Sequence, residues 1–219
     1  MSRDKIAQLA EEQDWLGPAE EPLQHAIRSA FASLGGDKAR DLLHGTWLNE
    51  PLHAVLTDVP VGSWTAAVAF DAAAALGAPR ALDTAADAAI LVGAISAVGA
   101  AVTGMNDWAE VTGEPRRIGL VHALLNTAGL SLFVTSLVAR KRGARTRGRA
   151  WAALGYLITA VSAHLGGNLI YEHGVGVGPQ EHWRAGSDAR QRLSPAHERP
   201  EDFTGDANEF ERTYGTRDA

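Results

Sequence analysis

Four stretches of this chain, residues 55–76, 85–105, 118–138 and 151–170, each have the length and low charge of a bilayer-crossing helix, about 20 mainly apolar residues. The third and fourth hold no Asp, Glu, Lys or Arg at all. A helix at a water surface keeps a polar stripe, and IGLVHALLNTAGLSLFVTSLV has no charged face to turn towards water. The first stretch carries Asp58 and Asp71 and the second Asp87. An acid near the middle of a span costs about 2.5 to 3.5 kcal/mol, so these acids need partners. Asp71 and Asp87 lie on the side of the basic connections, where Arg80 or other loop arginines are the expected ones. The reading is an all-α protein. Residues 1–54 form an amphipathic helical segment, 55–173 a four-helix transmembrane bundle, and 174–219 a polar, largely disordered tail.

Composition narrows the function. A net charge of -6 argues against nucleic acid as a partner, and the one dense basic run, ARKRGARTRGR at 139–149, sits between two apolar stretches, where it reports membrane topology instead. No cysteine is present, which excludes disulfides, cysteine-held iron–sulfur clusters and covalently attached haem within the chain. A metal here must use His, Asp, Glu or Asn. The first residues, MSRDKIAQLAEEQDWLG, carry acids where a secretory signal has its apolar core, so no cleaved signal peptide is expected. No repeat of about 20 to 50 residues is apparent.

Leu23, Ile27, Ala30, Phe31 and Leu34 fall at helical spacing, with Gly35 and Gly36 as a stop and a second short helix after Asp37. This pair is expected to lie against the bundle or the membrane surface. Trp47, Trp64, Trp108 and Trp151 lie near span ends and read as interfacial anchors. Pro60 suits a first helical turn, with Thr57 or Asp58 as N-cap. The arginines at 140–149 and Arg80 place the first and third connections in the cytoplasm and both tails outside.

Sorting polar residues by depth gathers most of them at the outer end: His53 and Asp58, Asn106 and Asp107, His122 and Asn126, then His164, Asn168, Glu172 and His173. His122 and His164 have nearly equal depths and can face each other. HALLN and HLGGN place His and Asn four residues apart, on one helical face, so that each Asn can orient its own His. Intramembrane ionisable groups tend to mark function, while packing glue is the competing reading for each residue alone.

The stretches QDWLGPAEEPLQ, LLHGTWLNEPLHAVLTDVPVGSWTAAVAFD, GLVHALLN and HLGGNLIYEHGVGVG resemble the predicted four-helix bacterial membrane proteins of the family with domain of unknown function 2231, over residues 13–178. The resemblance implies a membrane module sometimes joined to a Rieske-type domain, hence redox work; this cysteine-free chain lacks that domain. It also departs from the family pattern. Glu50 stands where WLGHPLHP has its first histidine, and Asn168 where GGH is common, leaving His44, His53, His122, His164 and His173 as matching histidines.

The function expected is a redox-associated module of the bacterial cytoplasmic membrane. His122 and His164, with His53 and His173 as further metal ligands, would hold a haem b or a divalent metal, and His53, Asp58, Asn126 and Asn168 would support them. Its partners would be the lipid bilayer, a redox protein and a second copy of itself. The alternatives are a structural or partner-docking protein whose polar cluster locks the helices, and a small transporter or proton relay. No catalytic motif is present.

Overall fold

The computed structural model describes residues 4–48 and 50–175. They belong to the unit Met1–Gly186. The polar tail lies outside the described residues except for Gly174 and Val175. Among the described residues every regular element is helical: α1 (Lys5–Glu11), a 3₁₀ turn (Asp14–Leu16), α2 (Gly17–Leu34), α3 (Gly36–His44), α4 (Leu52–Ala75), α5 (Ala81–Trp108), α6 (Glu114–Lys141) and α7 (Arg145–Tyr171).

The long helices overrun the apolar stretches that announce them. Three of them, α5, α6 and α7, are long and apolar enough to cross a membrane; at 1.5 Å per residue each extends about 40 Å. Their outward surface carries Leu91, Ile95, Val98, Leu124, Val134 and Leu157, all exposed. Such an apolar exterior suits lipid. Helix α4 has 24 residues but holds Asp58, Asp71 and Pro60. Pro60 does not open this helix as expected. The helix starts at Leu52, after Pro51, and runs through a buried Pro60, which has no N–H to offer the Leu56 carbonyl.

The basic run at 139–149 is mostly helix too. α6 continues to Lys141 and α7 begins at Arg145, so only residues 142–144 turn the chain, with Gly143 at φ 79°. That placement fixes the partners of the span acids. Arg140, whose side chain is 1% exposed, donates from Nη1 to Asp71 Oδ1 (2.8 Å) and Asp87 Oδ1 (3.0 Å), and makes a second contact from Nη2 to Asp71. Its Nε bonds Ser136 Oγ at 2.9 Å. Arg145 bonds Asp87 (2.7 Å) and Arg149 bonds Asp83 (2.7 Å). Arg80, the expected partner, is exposed. A buried carboxylate is tolerable when paired and hydrogen-bonded, and here each is.

The four long helices form two hairpins, α4 with α5 and α6 with α7, built to one register. His53, Trp64 and Asp71 on α4 recur in step as His122, Phe133 and Arg140 on α6. Gly93, Ala100 and Gly104 on α5 recur as Gly155, Ser162 and Gly166 on α7. The contacts recur as well. A Cβ on Gly93 would stand 2.3 Å from the Trp64 ring and one on Gly155 3.3 Å from Phe133; a Cβ on Gly104 would stand 2.7 Å from His53 and one on Gly166 3.0 Å from His122. The duplication has a period longer than about 50 residues, and apart from the histidines and glycines most of its side chains differ, so the contacts display it most plainly.

The equivalent residues of α4 and α6 meet each other along the middle of the bundle. Trp64 stacks on Phe133 with centroids 4.2 Å apart and planes 14° from parallel, Asp71 pairs with Arg140 at one end, and His53 meets His122 at the other. These contacts define a pseudo-two-fold axis along the bundle. Trp64 is therefore a core residue, buried with Ala67, Ile90, Phe133 and Ala152, and not an interfacial anchor. Trp108 is also buried, its Nε1 donating to the Arg116 carbonyl at 2.7 Å.

Helices α1–α3 pack across the histidine end. The stripe expected on α2 is only half used: Phe31 is buried and Ile27 packs beside Leu16, Trp108 and Leu120, but Leu23 and Leu34 are exposed. What α2 buries instead is polar. Gln24 donates to the Trp108 and Val111 carbonyls (2.8 Å each) and Arg28 to the Ala109 carbonyl (2.7 Å), while Glu20 accepts from Arg116 and Arg117 (2.8 Å each). Those carbonyls lie at or just past the end of α5, beyond its regular helical bonding, and that of Trp108 also accepts from the Val111 N–H at 3.0 Å.

Candidate functional site

At the histidine end each hairpin holds one imidazole in the same way. His53 lies in the first turn of α4, and its Nδ1 is 2.8 Å from the Ala100 carbonyl of α5. His122 lies in the third turn of α6, and its Nδ1 is 2.8 Å from the Ser162 carbonyl of α7. A carbonyl oxygen only accepts, so Nδ1 carries the proton in both rings and Nε2 remains as the donor atom of each. The Ser162 hydroxyl donates to the His122 carbonyl at 2.9 Å and lies 3.1 Å from Nδ1. The rings stand edge to face, 6.4 Å between centroids and 89° between planes. Gly104 and Gly166 are glycines because the rings occupy the space their side chains would need.

Asn126 orients His122 as HALLN predicts, its Nδ2 lying 3.0 Å from Nε2. HLGGN does not repeat the arrangement. His164 turns away from His122 and pairs through Nε2 with Asp4 Oδ2 at 2.6 Å, its side chain 51% exposed. The expectation that His122 and His164 face each other is thus not met. The inward face of α7 is Gly155, Thr159, Ser162, Leu165 and Leu169, and at about 100° per residue that leaves His164 on the other side. Asn168 Oδ1 is buried with no hydrogen-bond partner among the described residues, as is Asn106 Oδ1, its counterpart on α5. Asp58 is exposed on α4, and His173 follows the end of α7, half-buried.

Two acids complete this end. Asp107 Oδ1 is 2.7 Å from His44 Nδ1 and lies within electrostatic reach of His53. Asp4 caps α1 by accepting from the Ile6 N–H at 2.9 Å. Partial burial pushes the Asp4 carboxyl up, but the bonds from Ile6 and His164 outweigh it and hold its pKa below the usual carboxylate range. Among the described residues no three or more His, Asp or Glu side chains converge in a metal-holding group. His53 and His122 are the two predicted site histidines whose rings meet. Ser162 and Ala100 were missed in the sequence because their role is a main-chain carbonyl; aligning the two hairpins in step would have found both.

Residues 49–179 match the model of a family described as a predicted membrane protein, DUF2231, which covers more than half of the chain. The chain belongs to the DUF2231 family. Neither a curated protein nor a solved structure matches it. In this DUF2231 chain the family region contains both hairpins and both axial histidines, whereas α1–α3, with His44 and the Asp4 contact to His164, precede it. The histidine pair is thus part of the matched region, and the covering helices lie on its N-terminal side.

Proposed function

We propose that this DUF2231 chain is a multi-pass membrane module that holds a transition metal on its pseudo-two-fold axis through Nε2 of His53 and His122. The observation that carries this reading is the matched seating of the two rings. Metal-ligating histidines almost always donate their other ring N–H to a carboxylate, carbonyl or water, and both rings here donate Nδ1–H to a main-chain carbonyl. The two rings also meet, 6.4 Å between centroids, at the same end of the bundle. His53 therefore takes the place first expected of His164. The redox role and the bacterial cytoplasmic membrane stay attached to this reading, with both tails outside.

The contact between Asn126 and Nε2 of His122 favours a second reading, in which the pair only locks α4 against α6. Metal analysis and an optical spectrum of the detergent-solubilised chain, from cells supplied with haem, iron, zinc and copper, separate the two. The metal reading expects one equivalent of a transition metal, lost in both His53→Ala and His122→Ala and kept in His164→Ala. A colourless, metal-free preparation leaves the packing role.

A further inference from the structure

We infer that the outer face of α4 is a docking surface, within the membrane, for a helix of another protein that carries a lysine or arginine at mid-membrane depth. The inference is independent of the histidine pair and starts from one acid. Of the acids in the apolar stretches, Asp71 and Asp87 are held by arginines. Asp58 is exposed and makes neither a hydrogen bond nor an ion pair among the described residues. Its depth follows from the register. His53, Trp64 and Asp71 meet His122, Phe133 and Arg140 in constant step, so Asp58, between the first two, is level with Thr127. Thr127 lies at the middle of α6, about 20 Å from either end at 1.5 Å per residue, and so near the centre of a hydrocarbon layer about 30 Å thick. Val55, Val59 and Val61, beside Asp58, are exposed as well. Ionisable groups at such depth face the bundle interior or a partner. Nor does the fold require an acid at this step, since Thr127 takes the same place on α6 and spends its hydroxyl on the Ala123 carbonyl at 2.8 Å.

Charge decides what covers this face. A second copy about a two-fold axis would set Asp58 against Asp58. It has no counter-charge to offer at this depth, because the lysines and arginines of the four long helices lie near the ends of α6 and α7, and His164 is already paired with Asp4. Lipid tails offer none either. A lysine or arginine at the midpoint of a neighbouring helix does, and a paired charge is far less costly in an apolar medium than a lone one. Shape agrees with charge. Gly62, one turn from Asp58 on the same helical side, is exposed, and a Cβ there would meet nothing within 4 Å, whereas Gly93 and Gly104 seat rings of α4. Gly62 thus serves no contact within the chain, and a small residue of this kind lets a second helix approach closely.

The test places the full chain in phosphatidylcholine vesicles, with a donor dye on the cysteine of Thr46→Cys. Synthetic leucine–alanine membrane helices carry the acceptor and one central lysine or one central leucine. Energy transfer is expected to report association at least tenfold tighter for the lysine helix than for the leucine helix. Asp58→Thr, which copies the other hairpin, should abolish that preference and leave the denaturation midpoint in detergent unchanged. Asp58→Lys should reverse it, selecting a helix with a central aspartate, a gain that a misfolded variant would not make. In cells of the source organism, a photoreactive residue at Val59 is expected to capture a membrane protein with a basic residue inside a span, several-fold less in Asp58→Thr. No preference for the lysine helix, or the same preference in Asp58→Thr, overturns the inference. So does capture of a second copy, of lipid alone or of a span without a basic residue.

Discussion

Arg140 shows at the scale of one residue how this chain tolerates acids inside apolar helices. Its guanidinium serves Asp71, Asp87 and Ser136 at once from a position that solvent barely touches, and a Cβ on Gly148 would stand 2.6 Å from its side chain. Removing one partner of a buried pair leaves an uncompensated charge, at about 3 to 5 kcal/mol, whereas replacing both partners with apolar residues is often neutral. Arg140→Met is therefore expected to lower the denaturation midpoint in detergent sharply, and the double change Arg140→Met with Asp71→Leu to recover most of the loss. A double variant no more stable than the single would show that the pair itself holds the hairpins together. Single residues were unevenly legible in the sequence. The need of Asp71 and Asp87 for arginines followed from the cost of buried charge. That His164 would turn outward did not, because depth along a helix was read but facing was not: with HLGGN at the end of an all-apolar stretch, no polar stripe marked which side met the bundle.

Among the elements, the long helices were the most legible, and each was found within a few residues of its apolar stretch. The short ones were less so. Helix α2 was expected to dock through an apolar stripe, and it docks through Glu20, Gln24 and Arg28 because the carbonyls ending α5 need donors more than α2 needs a greasy face. Helix α1 buries Ala7 and Ala10 in a cluster with Leu165 and Leu169 of α7, and its one ion pair to that helix runs through Asp4, which also caps it. Because folding lowers the Asp4 pKa, its contribution is fully present above the unfolded value, about 3.9, and is lost as pH falls through the lower folded value. Hydrogen exchange at the Ile6 amide should thus stay slow at pH 5 and accelerate only below the ordinary carboxylate range. In Asp4→Asn that acid-dependent acceleration should vanish. Equal pH profiles for the two proteins would mean that the carboxylate does not hold α1.

The described residues hold four long helices running alternately, and the lack of cysteine makes the topology directly measurable. Single cysteines at Thr46, beside the histidine end, and at Arg142, in the turn between α6 and α7, are expected on opposite sides of the membrane. An impermeant maleimide should label the first in intact cells and the second only after lysis. Labelling of both in intact cells would mean that an even number of helices crosses between them, as when α4 does not span. The membrane character followed from residue types, since two uncharged stretches of that length leave no charged face for water, which weighed against a soluble Ala-rich bundle. The twofold plan was not, because Trp64 answers to Phe133 and Asp71 to Arg140, substitutions that keep a contact while changing its chemistry.

That last exchange sets which halves can mate. The first hairpin offers Asp71, Asp83 and Asp87, and the steps that match them on the second hold Arg140, Arg145 and Arg149. Two copies of either hairpin placed about the same axis would bring three like charges from each side together, and would repel. Within one chain the hairpins thereby behave as a matched pair of non-identical halves, each selecting its opposite and rejecting itself.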